Sequence, residues 1–454
     1  MHATASIPPF IASHALLVFL LQVGLLLLTA LLLARLATRL GMPAIVGELC
    51  AGLLLGPTVL SRVAPDLYDW LIPRSTEQFH MLDAVGQIGV LLLVGITGAH
   101  LDLGEVRAQR ATAIRVSVCG LVIPLGLGIA AGALLPVGLV GEGDRWTTAL
   151  FLGVAMSVSA IPVIAKTLMD MDLLHRKVGQ LTLAAGMIDD AFAWVMLSVL
   201  SAMATTGLRT GTVVWALADL ALVILFAAVV GRPLIRGTFA ALHRRKQGPQ
   251  TALVVVIAVL LSAAATTALG LEAIFGAFVC GVLISRYGHP DPAAFGALRS
   301  MVLSVLAPVF FATVGLRMDL LALTDTRVLL TALALLCVAV LGKFLGAYVG
   351  ARTSRLSRWE GLALGAGMNA RGVVEVVVAM VGLRLGILTP EMYTIVVLIA
   401  AVTSMMAPPM LRVAMARIGP PDADERRRRD QTAAALPTTP DRPGSGPVHQ
   451  GGRR

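Results

Sequence analysis

The sequence predicts an all-α polytopic membrane protein of about thirteen transmembrane helices, arranged as two inverted five-helix repeats with crossed discontinuous helices. Three observations carry this. Hydrophobic residues make up 57% of the 454 residues and charged residues only 14%, and the mean hydropathy is +0.85, far from a soluble globular average. Apolar runs of about 20 residues, each long enough as a helix to cross roughly 30 Å of hydrocarbon, recur along nearly the whole chain. Two of these runs are interrupted halfway by Pro, Gly and polar residues, and they stand seven places apart in the order.

The runs span 14–38, 43–60, 81–101, 114–137, 147–168, 177–204, 212–231, 251–269, 271–286, 300–317, 327–351, 359–385 and 390–415. The first has no Lys or Arg before it and exceeds the apolar core of a secretory signal, so it reads as a retained helix with the N-terminus outside. Assigning alternate loops then puts seventeen Lys and Arg, Arg35, Arg244 and Arg352 among them, on one side and seven, Arg62 and Arg145 among them, on the other. The positive-inside rule makes the richer side cytoplasmic, in a plasma-membrane protein whose C-terminus is cytoplasmic. The net charge of +10 is therefore topological, and no nucleic-acid partner is expected.

Residues 1–418 form the membrane domain. Residues 419–454, "PPDADERRRRDQTAAALPTTPDRPGSGPVHQGGRR" from Pro420 on, are too polar and Pro/Gly-rich to bury a core and read as a disordered cytosolic tail, with Arg426–Arg429 as a topology anchor. The four cysteines, Cys50, Cys119, Cys280 and Cys337, lie within spans without a CxxC pair and read as small apolar packers. The Gly-spaced string "PLGLGIAAG" (124–132) has no strand before it, so it reads as helix packing, and no cofactor is expected.

Ionisable residues inside spans are functional candidates, because a charge at the bilayer centre costs roughly 2.5–3.5 kcal/mol on insertion scales. They are Glu48 in the second span, Lys166 in the fifth, Asp189 and Asp190 in the sixth, Asp219 in the seventh, Lys343 in the eleventh, and Arg371 with Glu375 in the twelfth. Glu48 and Asp219 read as structural acids, at helix ends or hydrogen-bonded. Lys343 requires an acid partner, for which Asp189 and Asp190 are both available, and Arg371 and Glu375, four apart on one helical face, neutralise each other.

The interrupted runs are "AMSVSAIPVIAKTL" (155–168), with Ser157, Ser159 and Pro162, and "GAGMNARGVVEV" (365–376), with Gly365, Gly367, Asn369 and Gly372. As fifth and twelfth spans they have opposite orientations, the pattern of inverted repeats, here spans 2–6 against 9–13. Such helices cross near the midplane and offer dipole ends and unpaired backbone groups to an ion, which places the candidate site at the crossing beside Asp189 and Asp190.

These residues resemble the monovalent cation:proton antiporters, especially their second branch of sodium/proton antiporters and plant-type cation/proton exchangers. The likeness covers nearly all of residues 14–415. It rests on "GMPAIVGELCAGLLLGPTVL" (41–60), "SVSAIPVIAKTLMDMDLL" (157–174), "DDAFAWVML" (189–197), "EAIFGAFVCGVLIS" (272–285), "APVFFATVGLRMDL" (307–320), "LGKFLGAYVGA" (341–351) and "GMNARGVVEVVV" (367–378). The resemblance implies a homodimer in which each protomer has a dimerisation bundle and a mobile core. It implies that Asp190 binds Na+ or K+ and H+ in alternation and that Asp189 pairs with Lys343. Plant exchangers typically carry Asn in place of the first acid, so the acid pair here looks like the electrogenic sodium/proton type while the twelfth span looks like the plant type.

The chemistry follows without the family. Desolvation favours the neutral form of a carboxylic acid, so at the midplane a proton and a hard cation compete for the same oxygens. If a bare carboxylate cannot cross the dry barrier, only the loaded site moves, and exchange is coupled. Ser157, Ser159, Asn369 and freed carbonyls are candidates to complete the oxygen shell. An intramembrane aspartyl protease is disfavoured, since adjacent helical residues point about 100° apart and do not form a proton-sharing dyad. A channel is disfavoured by the isolated charges. The alternative is a proton-coupled exporter of an organic cation or secondary metabolite on the same scaffold.

Overall fold

A computed structural model describes residues 12–72, 76–99, 110–141, 144–171, 173, 176–206, 218, 221–245 and 247–418. Asp219 and the expected tail lie outside the described residues. Apart from two short helices, Leu60–Val63 and Pro65–Leu71, the helices in chain order are α1 (Ser13–Arg39), α2 (Ala44–Leu55), α3 (Thr76–Ala99), α4 (Arg110–Ala133), α5 (Arg145–Ser157), α6 (Ile161–Asp170), α7 (Lys177–Thr206) and α8 (Ala221–Arg244). They continue as α9 (Thr251–Ala268), α10 (Ala273–Gly288), α11 (Pro292–Leu316), α12 (Thr326–Thr353), α13 (Arg358–Met368), α14 (Val373–Arg384) and α15 (Pro390–Met415). Among the described residues the one β-type pairing is an isolated bridge between Val140 and Leu388.

Ten helices, α2 being counted with its continuation to Val63, are long and apolar enough to cross a membrane, and the pair α13–α14, bent by 47°, is an eleventh if taken as one span. The expectation of thirteen included two more runs. One is the broken pair α5–α6, and the other is α10, a shorter apolar helix that length alone does not qualify.

Helix starts at the chain's polar turns are set by side-chain caps. Asp144 accepts from the Trp146 N–H at 3.1 Å to start α5, Asp325 from Arg327 N–H at 2.8 Å to start α12, and Ser357 with Glu360 forms a capping box on α13. The breaks inside the membrane have no such caps. They close on each other instead, through a hydrogen bond of 3.0 Å from the Ala160 N–H to the Ala370 carbonyl.

The helices pack as two bundles. In the first, α4 lies between α5 and α12, α12 packs on α13, α13 on α15, and α7 closes against α4 and α13. In the second, α2 packs on α1 and α11, and α3 on α10, which also meets α9. The pairings α2·α11 and α10·α3 are the same contact in two repeats. A Cβ added at Gly315 of α11 would strike the Leu49 carbonyl oxygen and the Cα of Gly52, and one at Gly281 of α10 would strike the Gly95 carbonyl oxygen of α3. The strings behind this also match, "AIVGELCAGLLL" (44–55) against "AIFGAFVCGVLI" (273–284), with Gly47 over Gly276 and Gly52 over Gly281. Small residues let helix backbones approach where lipid supplies no hydrophobic drive for association.

Every residue from Val373 to Gly382 is buried, as a helix apolar all round requires. The cysteines divide: Cys280 is buried, but Cys50 and Cys337 are exposed on helix surfaces and do not pack as expected.

Candidate functional site

Four half-helix ends meet at the crossing: the C-termini of α5 and α13 and the N-termini of α6 and α14. Each leaves unpaired backbone groups and a partial charge. Arg371 meets the first, since its Nη1 donates to the Ala155 carbonyl at 3.0 Å and its Nη2 to the Met156 carbonyl at 2.6 Å, the last turn of α5. Glu375 sits in the first turn of α14, at that helix's positive end. Met368 at the end of α13 offers its carbonyl to the Ser159 hydroxyl at 2.8 Å. The Ile161 N–H at the start of α6 faces the carboxyl group of Asp190.

Arg371 and Glu375 pair at 3.1 Å, but not as a helical i,i+4 pair: Arg371 lies in the break, and α14 begins only at Val373. Its backbone is held as well, the Ser404 hydroxyl of α15 donating to the Arg371 carbonyl. Pro162 does not end a helix at Ile161. Both residues belong to the first turn of α6, where the missing proline N–H is unneeded, and the break lies just before, at 158–160. The side chains of Pro162 and Lys166 are outside the described residues. Gly372 presses on α6, because a Cβ there would lie 2.7 Å from Cγ2 of Val163.

Asp189 and Asp190 are both wholly buried, in opposite circumstances. Asp189 points into the first bundle. Its Oδ2 accepts from Nζ of Lys343 at 2.7 Å and from the Ser159 hydroxyl at 2.9 Å, and its Oδ1 from the Ser117 hydroxyl at 2.8 Å. Ser159 has one proton, so its bonds to Asp189 and Met368 are alternatives. Lys343 is fully buried and also donates to the Gly120 carbonyl at 3.0 Å. Of the two acids, it is Asp189 that Lys343 meets.

Among the described residues Asp190 has no ion-pair partner, and the Ile161 N–H that faces it does not close a hydrogen bond to either oxygen. One turn further along α7, buried Trp194 packs its ring 6.2 Å from that of Phe278 on α10. The helix face that carries Asp190 therefore looks toward the second bundle. Asn369 is fully buried in the other break with both side-chain polar atoms unpartnered. Ser157 contributes less than its position suggests, because its hydroxyl donates to the Val154 carbonyl one turn back at 2.8 Å. Glu48 lies in the second turn of α2, in the second bundle, and does not join this group.

Sequence reasoning missed Ser117, Ser404 and the Gly120 carbonyl, which only helix packing selects. It also missed Glu272, quoted within a motif but not as a charge. Glu272 starts α10 and accepts from Nη2 of Arg384 at 2.8 and 2.7 Å and from the Ser201 hydroxyl at 2.7 Å. One side chain of the second bundle thus holds two helices of the first.

Comparison with known proteins agrees with this architecture. The family model for "Sodium/hydrogen exchanger, transmembrane" matches residues 25–417. Na(+)/H(+) antiporter NhaS4 of Synechocystis sp. is 30% identical over 405 residues, covering 88% of this chain and 97% of the relative. Na(+)/H(+)-K(+) antiporter GerN of Bacillus cereus is 28% identical, over 87% of this chain and 95% of its own. The chain spans about half the length of the Arabidopsis thaliana cation/proton antiporters it also matches. Among solved structures, the sodium proton antiporter MjNhaP1 of Methanocaldococcus jannaschii shares the fold, with a TM-score of 0.63 at 19% identity over 88% of this chain and 97% of that one. The chain belongs to the sodium/hydrogen exchanger family.

Proposed function

We propose that the protein is a secondary active antiporter that exchanges protons for a monovalent cation, Na+ or K+, by alternating access at Asp190, with Asp189 and Lys343 as the accompanying charge pair. One observation carries the assignment of the site. Of the five charged side chains described at the crossing, Lys343 pairs with Asp189 and Arg371 with Glu375, which leaves Asp190 as the one described charge unmatched. A proton or a single cation completes the count, and the two compete for the same two oxygens. Asn369, unpartnered and in the opposing break, is a candidate for a further oxygen ligand.

The site belongs, on this reading, to a homodimer in the plasma membrane with its N-terminus outside and its C-terminus cytoplasmic. The excess of arginine at one set of helix ends supports that orientation. Everted vesicles carrying a pH-sensitive dye, challenged in turn with Na+, K+ and Li+, test the activity. Dye recovery with at least one of them is expected, and no response to any of them defeats the proposal.

Alternating access requires the bundles to part at one end at a time, and Glu272 restrains one end. Arg384 is half-exposed, so its pair with Glu272 is discounted to about 1 kcal/mol. Glu272→Gln is expected to change the ratio of half-saturating cation concentrations between right-side-out and everted vesicles about fivefold, with maximal rate little affected. An unchanged ratio means the contact does not hold the bundles.

A further inference from the structure

The ends of α8 and α10 enclose a cavity of about 700 Å³ remote from the crossing. Its walls carry Arg236, His243 and Arg244 from α8 and Arg286 and His289 from α10 and the residue that follows it, and among the described residues no carboxylate lines it. Positions 236, 239, 240, 243 and 244 fall at helical spacings, so one face of α8 forms one wall. The floor is buried Phe239, against which α10 is pressed: a Cβ at Gly288 would lie 3.3 Å from the Phe239 ring. A π-helical turn, Ile284–Gly288, followed by His289 in the left-handed region (φ 48), bends the end of α10 around this floor.

Arg286 is held in place on an aromatic ring at the cavity wall. Arg286 and Arg232 both lie over the Tyr287 ring, at 5.8 and 4.9 Å from its centroid. The nearby acid in the chain, Asp291, is committed to capping α11 through the Ala294 N–H at 2.9 Å. Three guanidinium groups gathered around one cavity repel each other unless an anion sits among them. Their planar donors suit phosphate oxygens.

The surroundings choose the source of that phosphate. Immediately before the cavity, Leu225, Phe226, Val229 and Leu234 of α8 are 59%, 57%, 62% and 64% exposed, an apolar surface suited to lipid tails. The change from this apolar stretch to Arg236 and Arg244 at the end of α8 suits a boundary between hydrocarbon and headgroup layer, and the cavity opens there. We propose that this cavity is a headgroup site for an anionic phospholipid, its phosphate held by Arg236, Arg244 and Arg286 and its tails lying along the exposed apolar residues of α8.

The test uses the full chain in detergent, delipidated, with thermal unfolding followed as phosphatidylglycerol, phosphatidylcholine or inorganic phosphate is added. Phosphatidylglycerol is expected to raise the midpoint more than the other two. Arg236→Gln with Arg244→Gln, both on the exposed side of α8, should raise the lipid concentration for half-maximal effect about tenfold, while Arg412→Gln at another helix end should leave it unchanged. Equal stabilisation by phosphatidylcholine, or an undiminished response in the double variant, overturns the site. Saturation of the effect by inorganic phosphate alone overturns the lipid as its occupant.

Discussion

Asp190→Asn is expected to abolish cation-driven proton movement while leaving a folded, inserted protein. The substitution is nearly isosteric, and it removes the one charge that no neighbour matches among the described side chains of the crossing. An unpaired buried carboxylate destabilises the fold or holds a proton, so the neutral amide should unfold at the same temperature as wild type or higher. The lost function is large by comparison. A cation facing a neutral oxygen instead of a carboxylate in a site shielded from water loses at least about 2.7 kcal/mol, which corresponds to roughly 100-fold in initial exchange rate. The proton limb fails as well, since an amide has no proton to release. Dye recovery in everted vesicles and the unfolding temperature of the same preparation report the two halves separately. Wild-type exchange in the variant would remove Asp190 from the mechanism, and an unfolded variant would contradict the claim that its charge is not structural.

The membrane fold was legible because its signals are local. Length and apolarity identify spans without any knowledge of neighbours, and the interrupted strings at 155–168 and 365–376 mark discontinuous helices by composition alone. The repeated "AI-G----G-L" strings of α2 and α10 are a further local signal: Gly52 and Gly281 take equivalent places at the α2·α11 and α3·α10 contacts, and Gly47 and Gly276 at the α2·α1 and α10·α9 contacts. The number of full crossings was less legible, since α10 owes its position to packing rather than to length. Partners at the site were legible only as types. Lys343 announces the need for an acid, but the choice between Asp189 and Asp190 depends on the rotation of α7, and adjacent residues on a helix cannot both face α12. Ser117 and Gly120 are 72 and 223 residues from the side chains they bond, and nothing in their own strings marks them. Arg371 and Glu375 show the reverse. Their spacing suggested a helical pair, the pair exists, and yet the arginine is there to meet the end of α5.

Lys343→Ala is expected to leave exchange intact while removing its dependence on membrane voltage, with a large loss of stability. The pair it breaks has both side chains at 0% exposure, and removing one partner of such a pair is worth about 3–5 kcal/mol of destabilisation because the other is left buried and alone. Asp189 retains the Ser117 and Ser159 hydroxyls, which donate two hydrogen bonds but no charge. Its way out is to hold a proton permanently. Charge counting then gives the transport result. If cation loading draws Asp189 away from Lys343, the buried lysine left behind is neutral, and the loaded site carries two carboxylates and one cation. On return, Asp190 is protonated and the Asp189–Lys343 pair is restored, so two protons move against one cation and one charge crosses per cycle. In Lys343→Ala, with Asp189 protonated throughout, Asp190 alone trades one proton for one cation and no net charge crosses. Adding Asp189→Asn removes the stranded acid, so the double variant should recover stability relative to Lys343→Ala, with a coupling of at least about 1 kcal/mol in a double-mutant cycle. Additive effects on unfolding would deny the contact. Liposomes at matched pH with an imposed potential supply the functional readout: if Lys343→Ala responds to voltage as wild type does, the lysine is structural and the charge-carrying role fails, whatever the stability cycle shows.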